Sequence, residues 1–308
     1  MQLCSARLAV VAVVAVGLLA ACAPTESEPP STVPSTVPST GVTTTALTTT
    51  VPATTVPMTT VPMTTVPMTT VPMTTVPATT ALSTTVPATT VPVDLATRVI
   101  GTSVQGRDIT AVQRGTAGGR VVLVIGVIHG DEDDGLAIME RLHESVVPPG
   151  IELWLVDSMN PDGVVAGTRQ NANAVDLNRN FPDDWGPIGA PGDSQYAGPS
   201  AASEPETQAV VSFVGAIQPD LVIWYHQDLF RIAPSDGRSG AIKARYAELT
   251  GLPLVSITGG TYTGVAATWA RHTIDPGVAF IVELGPSVSA EEADIHAAAV
   301  LTVASEPN

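Results

Sequence analysis

The chain has 308 residues, 44% of them hydrophobic and 4% aromatic, with 27 prolines and a net charge of −16. So negative a chain, with Lys243 as its single lysine, excludes non-specific binding to nucleic acid or to anionic membrane surfaces. Its cysteines, Cys4 and Cys22, both fall in the N-terminal segment, so no disulfide framework holds the remainder.

The N-terminal segment, residues 1–22, reads as an address. Arg7 precedes an apolar run from Leu8 to Ala20, too short for a comfortable membrane span and suited to a signal-peptide core. The run closes on Leu19-Ala-Ala-Cys22, which resembles a bacterial lipobox with Cys22 as the lipidated first residue of the mature chain. An ordinary signal peptide cleaved nearby is the alternative. Each buried methylene of an acyl chain contributes about 0.8 kcal/mol, so a multiply acylated cysteine holds a protein firmly to a bilayer. Residues 23–93 are rich in Thr, Val and Pro and carry repeats such as Val56-Pro-Met-Thr-Thr. A proline every five residues forbids a continuous helix and interrupts a sheet ladder. With little bulk and no charge except Glu26 and Glu28 at its start, this tract predicts an extended stalk rather than a core. At ~3.1 Å per residue it reaches on the order of 200 Å. The expected location of residues 94–308 is therefore extracytoplasmic, tied to the membrane through the lipid anchor alone, with secretion as the alternative.

Residues 94–308 alternate strand and helix signals. The β-branched run Val121–Ile128 predicts a strand buried on both faces. Leu136–Val147 has helical spacing and stops before Pro148-Pro-Gly150, and Ile151–Val156 is the next strand. Ser203-Glu-Pro-Glu206 reads as a capping box opening a helix through Val210, Val214 and Ile217 that stops before Pro219. A strand follows at Leu221–Tyr225, then a helix from about Ala241 to Leu249, a strand at Val278–Val282 and a helix at Ala290–Val303. This alternation predicts an α/β fold, a three-layer sandwich whose mixed, largely parallel central sheet is flanked by helices. In such sheets sites form where the carboxyl ends of strands meet loops.

Those strand ends carry chemistry. His129 follows the first buried strand, with Glu132 three residues on; His226 and Glu283 each close a later strand. Imidazole and carboxylate groups bind divalent metals and move protons. Taken singly, each is more often an ordinary loop or core residue. Asp131, Asp133 and Asp134 read as a solvated helix start favoured by the helix dipole. His143, His272 and His296 read as surface or partly packed. The middle of the domain is too polar for a core: Met159-Asn-Pro-Asp-Gly163, Gly167-Thr-Arg-Gln-Asn-Ala-Asn173 and Val175-Asp-Leu-Asn-Arg-Asn-Phe-Pro182. Within it Arg169 and Arg179 are fixed cations that match carboxylates or oxyanions bidentately, and Asn178 adds a donor.

In this order, His129-x-x-Glu132, Asn160-Pro-Asp-Gly163, Arg169, Asp176-Leu-Asn-Arg-Asn-Phe181, His226 and Glu283 resemble the zinc carboxypeptidase family. Within it the likeness is to bacterial murein peptide amidases, through Asn171–Pro182, Ser203–Ala209, Leu252–Val255 and Trp269. It covers about residues 98–303. The resemblance implies that His129, Glu132 and His226 bind one Zn2+ per domain, with the fourth position left to water. It implies that Arg169 stabilises the oxyanion, that Asn178 and Arg179 hold a terminal carboxylate, and that Glu283 is the general base and then the acid. Tyr262 lies on the loop that contacts substrate in the family. The implied substrate is a murein-derived peptide, cut between γ-D-glutamate and meso-diaminopimelate, whose α-carboxylate would face Arg179. The alternatives are a general metallocarboxypeptidase, an L,D-carboxypeptidase and a non-catalytic wall-binding lipoprotein. This sequence departs from its relatives at Tyr262-Thr-Gly-Val265, at Leu284-Gly-Pro286 beyond the base, and at the acidic pair Asp133-Asp134. These departures touch the substrate pocket and leave the metal set intact.

Overall fold

The structure, a computed structural model, describes residues 94–306. The apolar leader, Cys22 and the Thr/Val/Pro tract lie outside those residues.

The elements are β1 (Asp94–Thr102), β2 (Asp108–Gly115), β3 (Arg120–Val127), α1 (Gly135–Glu144), β4 (Ile151–Ser158), α2 (Pro161–Ala166), a 3-10 turn (Leu177–Arg179), α3 (Pro205–Ile217), β5 (Leu221–Gln227), α4 (Gly237–Thr250), α5 (Ala266–Thr273), β6 (Val278–Leu284) and α6 (Ala290–Ser305). They form one mixed sheet in the order β1-β2-β4-β3-β5-β6. β4, β3, β5 and β6 run parallel, and β1 and β2 add an antiparallel edge.

Alternation along the central strands separates two cores. Val122 and Val124 of β3, with Leu221, Ile223 and Tyr225 of β5, face α1, α4 and α6. Their neighbours Leu123, Ile125, Val222 and Trp224 face α3 and α5. Side chains one apart on a strand point to opposite faces, so a continuous apolar run covers both layers at once. Each of these residues is at most 1% exposed, and burial at ~25 cal/mol per Å² makes the two cores the main source of stability. The α/β sandwich is the architecture the sequence implies. Among the described residues no helix is long and apolar enough to cross a membrane.

Three local expectations differ. α1 ends at Glu144, not Val147: Ser145 turns extended, and buried Arg114 donates to the Leu142 carbonyl at the helix terminus. The Ser203-Glu-Pro-Glu206 stretch is not a capping box. Glu204 is the cap residue and Pro205 the first helical position, and no side chain caps the helix. The carboxylates reach elsewhere: Glu204 accepts from Asn171 and Asn173, and Glu206 from Asn171 and the Val104 amide. His296 is not a surface residue. It is 5% exposed and bonded through Nδ1 to the Tyr246 hydroxyl at 2.8 Å.

The sheet topology places the site. From β3 the chain steps to β4 on one side and later returns to β5 on the other, so β3 and β5 flank a switch point. Their carboxyl ends deliver His129 and His226, and β6 lies directly beyond.

Candidate functional site

His129 is held from both sides. Its Nε2 lies 3.0 Å from Asp176 Oδ1 and its Nδ1 lies 2.9 Å from Glu132 Oε1. Burial disfavours charge on Asp176, yet its hydrogen bond to His129 and the nearby Arg169 hold its pKa well below the usual carboxylate range. Asp176 therefore accepts from Nε2–H, which leaves Nδ1 as the nitrogen turned toward Glu132. Across the site Glu132 Oε2 lies 3.0 Å from His226 Nδ1 and accepts from the Gln227 amide at 3.0 Å. Burial pushes the His226 pKa down, so this imidazole is neutral. Burial also opposes charge on Glu132, but its contacts with both histidines win and keep it ionised.

The ligand atoms of His129, Glu132 and His226 thus lie within 4.8 Å of one another. Two imidazole nitrogens and one carboxylate, aimed at a common point on the wall of a cleft, fit the donor set of a zinc site that keeps one position open. The outer shell fits as well, because Asp176 anchors the far nitrogen of His129.

The loop behind this set is built by Asn160. Its Oδ1 caps α2 through the Gly163 amide, and its Nδ2 donates to the Ile128 and Arg169 carbonyls. Asn160 thereby joins the end of β3 to the segment carrying Arg169. Gly130 packs on the Gly163 backbone so closely that any Cβ would collide with it. Asp162 accepts from Ser103, the Gln105 amide and Arg107, tying the β1–β2 turn to α2. The Asn160-Pro-Asp-Gly163 motif therefore sets the loop that places the site.

Arg169 is 25% exposed and faces the metal set, with Nη1 at 2.8 Å from Glu132 and Nη2 at 2.8 Å from Asp176. Asp176 also caps the 3-10 turn through the Asn178 amide at 2.9 Å. That turn sends Asn178 and Arg179 into the cleft. Asn178 is fixed by the Ala266 amide at 3.0 Å. The Arg179 guanidinium is buried, donates to the Asn178 carbonyl at 2.9 Å, and leaves Nε without a partner among the described residues. Tyr262 is half exposed, and its ring lies 5.1 Å from the Arg179 guanidinium carbon. Gly264 makes this approach possible: it adopts φ +59°, and a Cβ there would strike the Arg179 carbonyl.

Glu283 is the register partner of His226 across β5 and β6. Burial first, and then the charge of Glu132, push its pKa up to about 7. A carboxyl poised near neutrality takes and returns a proton with little cost. His129, Glu132, Arg169, Asn178, Arg179, His226, Tyr262 and Glu283 line one cleft of about 750 Å³.

The sequence profile described as zinc carboxypeptidase matches residues 88–228. Murein peptide amidase A of Escherichia coli K12 is 32% identical over 186 residues, which span 56% of this chain and 73% of that protein. The chain belongs to the zinc carboxypeptidase family. It is accordingly a hydrolase. Murein peptide amidase A of Vibrio campbellii is 28% identical over 180 residues, 55% of this chain and 71% of the relative. Among solved structures, the murein-tripeptide amidase of Escherichia coli O157 superposes with a TM-score of 0.57 at 27% identity, over 69% of this chain and 93% of that one. Carboxypeptidase A of Helicoverpa armigera gives a TM-score of 0.61 at 20% identity, over 70% of this chain and 68% of that one, a likeness of fold.

The structure brings His129, Glu132, His226, Arg169, Asn178, Arg179, Tyr262 and Glu283 to this one cleft. Sequence reasoning gave no role to Asp176 or Gln227, although Asp176 sits inside the quoted Asp-Leu-Asn-Arg-Asn-Phe motif. It also read Asp134 as a solvated helix start. Asp134 instead accepts from Gln227 Nε2 at 3.1 Å and from the Val288 amide at 2.8 Å, joining the β3, β5 and β6 rims. Lys243 and Arg271 line the cleft too and were not anticipated.

Proposed function

We propose that this domain is a zinc-dependent peptidase of cell-wall peptides, cutting the amide between γ-D-glutamate and diaminopimelate. The observation that carries the reading is the convergence of His129 Nδ1, Glu132 and His226 Nδ1 at the cleft, with Glu283 in register beside His226. The names of the similar murein peptide amidases supply the substrate class.

Bound by His129, Glu132 and His226, zinc would supply a Lewis acid for the scissile carbonyl and lower the pKa of an attacking water toward 7. The remaining work falls to the chain. Arg179 and Asn178 hold the substrate α-carboxylate; a buried guanidinium with a spare donor suits that anion. Arg169 donates to the oxygen that gains charge as the carbonyl is attacked. Glu283 accepts the proton from water and passes it to the leaving amine nitrogen. Tyr262 covers Arg179 at the cleft mouth. Asp176 keeps His129 and Arg169 in place throughout.

The test is metal analysis of the purified chain together with mass spectrometry of digested wall peptides. Release of L-alanyl-γ-D-glutamate from diaminopimelate tripeptides is the expected result. Equal activity on standard carboxypeptidase substrates would replace this reading by that of a general carboxypeptidase. We further propose that Cys22 carries the lipid anchor and that residues 23–93 space the domain from an extracytoplasmic membrane face. Cys22→Ser is expected to move the protein from the membrane fraction to the soluble one.

A further inference from the structure

We propose that Lys243 and Arg271 form a second anion subsite in the cleft, one that receives a carboxylate on the side chain of the residue following the scissile bond. This rests on the peptidase reading above and deepens it by naming what the side-chain pocket selects.

Lys243 lies on α4 and Arg271 on α5, and both line the cleft that holds His129, Arg179 and Glu283. Lys243 is 5% exposed. Among the described residues no hydrogen bond or ion pair reaches its ammonium. Its side chain is packed into the wall and its ammonium faces the cleft, and natural proteins seldom bury a lysine that nothing pairs. This is the single lysine of a chain with 29 acidic residues, yet among the described residues no acid is bonded to it. Burial first, and then the positive charge of Arg271, push its pKa down. The neighbour that most perturbs Lys243 is thus another cation.

Arg271 is positioned by the Thr268 hydroxyl at 3.0 Å. Its nearest acidic influence is Asp183, and that carboxylate already lies 2.8 Å from His272 Nδ1. Glu283 lines the same cleft, and the charge of Glu132 is the second cause of its raised pKa after burial. Among the described residues no carboxylate, Glu283 on the same cleft included, is ion-paired with either cation.

The remaining wall fits a side chain with a short aliphatic arm. Ala233, Ala267, Phe280 and Ile281 line the same cleft. A methylene arm would run along them to a terminal carboxylate at the cations, while Arg179 takes the α-carboxylate. Glutamate and diaminopimelate both carry such an arm and such a group. Lysine and leucine do not.

The test uses the full chain, supplied with zinc, on matched acyl dipeptides ending in glutamate, leucine or lysine and on a diaminopimelate tripeptide. The expected result is a kcat/KM at least ten-fold higher for the acidic side chains than for leucine, with lysine worst. In Lys243→Met and Arg271→Met the acidic preference collapses through KM, and Lys243→Arg restores it. Calorimetry with free glutamate, diaminopimelate, lysine and leucine gives a readout independent of turnover. Acid-selective binding lost in Lys243→Met, in a chain that hydrolyses nothing, supports the subsite and sinks the peptidase reading. Brisk hydrolysis without acidic preference, or a preference that survives both substitutions in a folded protein, overturns the subsite and leaves the peptidase reading standing.

Discussion

Tyr225 and His226 are neighbours on β5, yet they serve two different buried regions. His226 points to the cleft and meets Glu132 at 3.0 Å, across from His129. Tyr225 points to the opposite core, where its hydroxyl lies 2.7 Å from that of Tyr246, which in turn meets His296 at 2.8 Å. Both regions bury histidine. In the cleft the partners are carboxylates: although burial opposes its charge, His129 is held above its ordinary pKa by Asp176 and Glu132, while burial prevails at His226 and pushes it down. Behind the sheet the partners are hydroxyls, and burial pushes His296 down to about 4. Burial alone therefore marks no function; what sets the cleft apart is one carboxylate, Glu132, shared between two imidazoles.

The largest effect expected on the cleft side is that of Glu283→Gln. It removes the proton carrier and leaves the three metal-binding groups, so kcat should fall by roughly 10³-fold with zinc content unchanged. A variant as active as the parent would end the assignment. The wild-type rate should also decline as pH falls through the Glu283 pKa, because the ionised form is the base. That pKa is about 7 in the metal-free site, and a bound cation moves the limb to lower pH.

Asp176→Asn tests whether the outer shell prepares the site. Loss of the anion behind His129 is expected to weaken zinc affinity by roughly 10–100-fold, measured by competition with a chromophoric chelator. Added zinc should raise the melting temperature of the parent chain, by about 2.7 kcal/mol of stability at one hundred times Kd, and a chelator should reverse it. A melting temperature indifferent to both would count against a metal site.

The smallest effect concerns the far side of the sheet. His296 has a folded-state pKa below its unfolded value of 6.5, so the unfolded chain binds the extra proton. Its contribution to stability is present above pH 6.5 and is lost as pH falls toward 4, on the order of 3 kcal/mol in all. His296→Gln should flatten the fall in denaturation midpoint across that window without altering zinc affinity. A slope unchanged by the substitution would remove the contrast between the two regions.

How much of this was legible in the sequence follows from what each residue needs. β3, β5 and β6 are apolar on both faces, so their runs stand out, and the chemistry at their ends is found by reading one residue further. β1 is largely exposed at the sheet edge, and its run Asp94–Thr102 carries no apolar stripe to mark it. Helix boundaries moved where tertiary partners intervened, as when Glu204 and Glu206 abandoned the helix terminus for Asn171. The ligand set came with the family motif. Asp176 could have been found there, because a metal-bound imidazole needs an acceptor on its other nitrogen. Lys243 and His296 had no such signal: on a helix they look like solvated side chains, and only the packing of α4 and α6 against the sheet makes them interior.

The pairing of His226 with Glu283 across β5 and β6 has one more consequence. The spacing of ligand and base is written into a hydrogen-bonded ladder, whereas Tyr262 and its neighbours sit in loops that tolerate insertion. Adding or deleting one residue within β6 would rotate the carboxyl away to the α6 side, abolishing chemistry while sparing many apolar contacts. Diversification of substrate choice is thereby channelled into the rim, and the strand lengths beneath it are fixed.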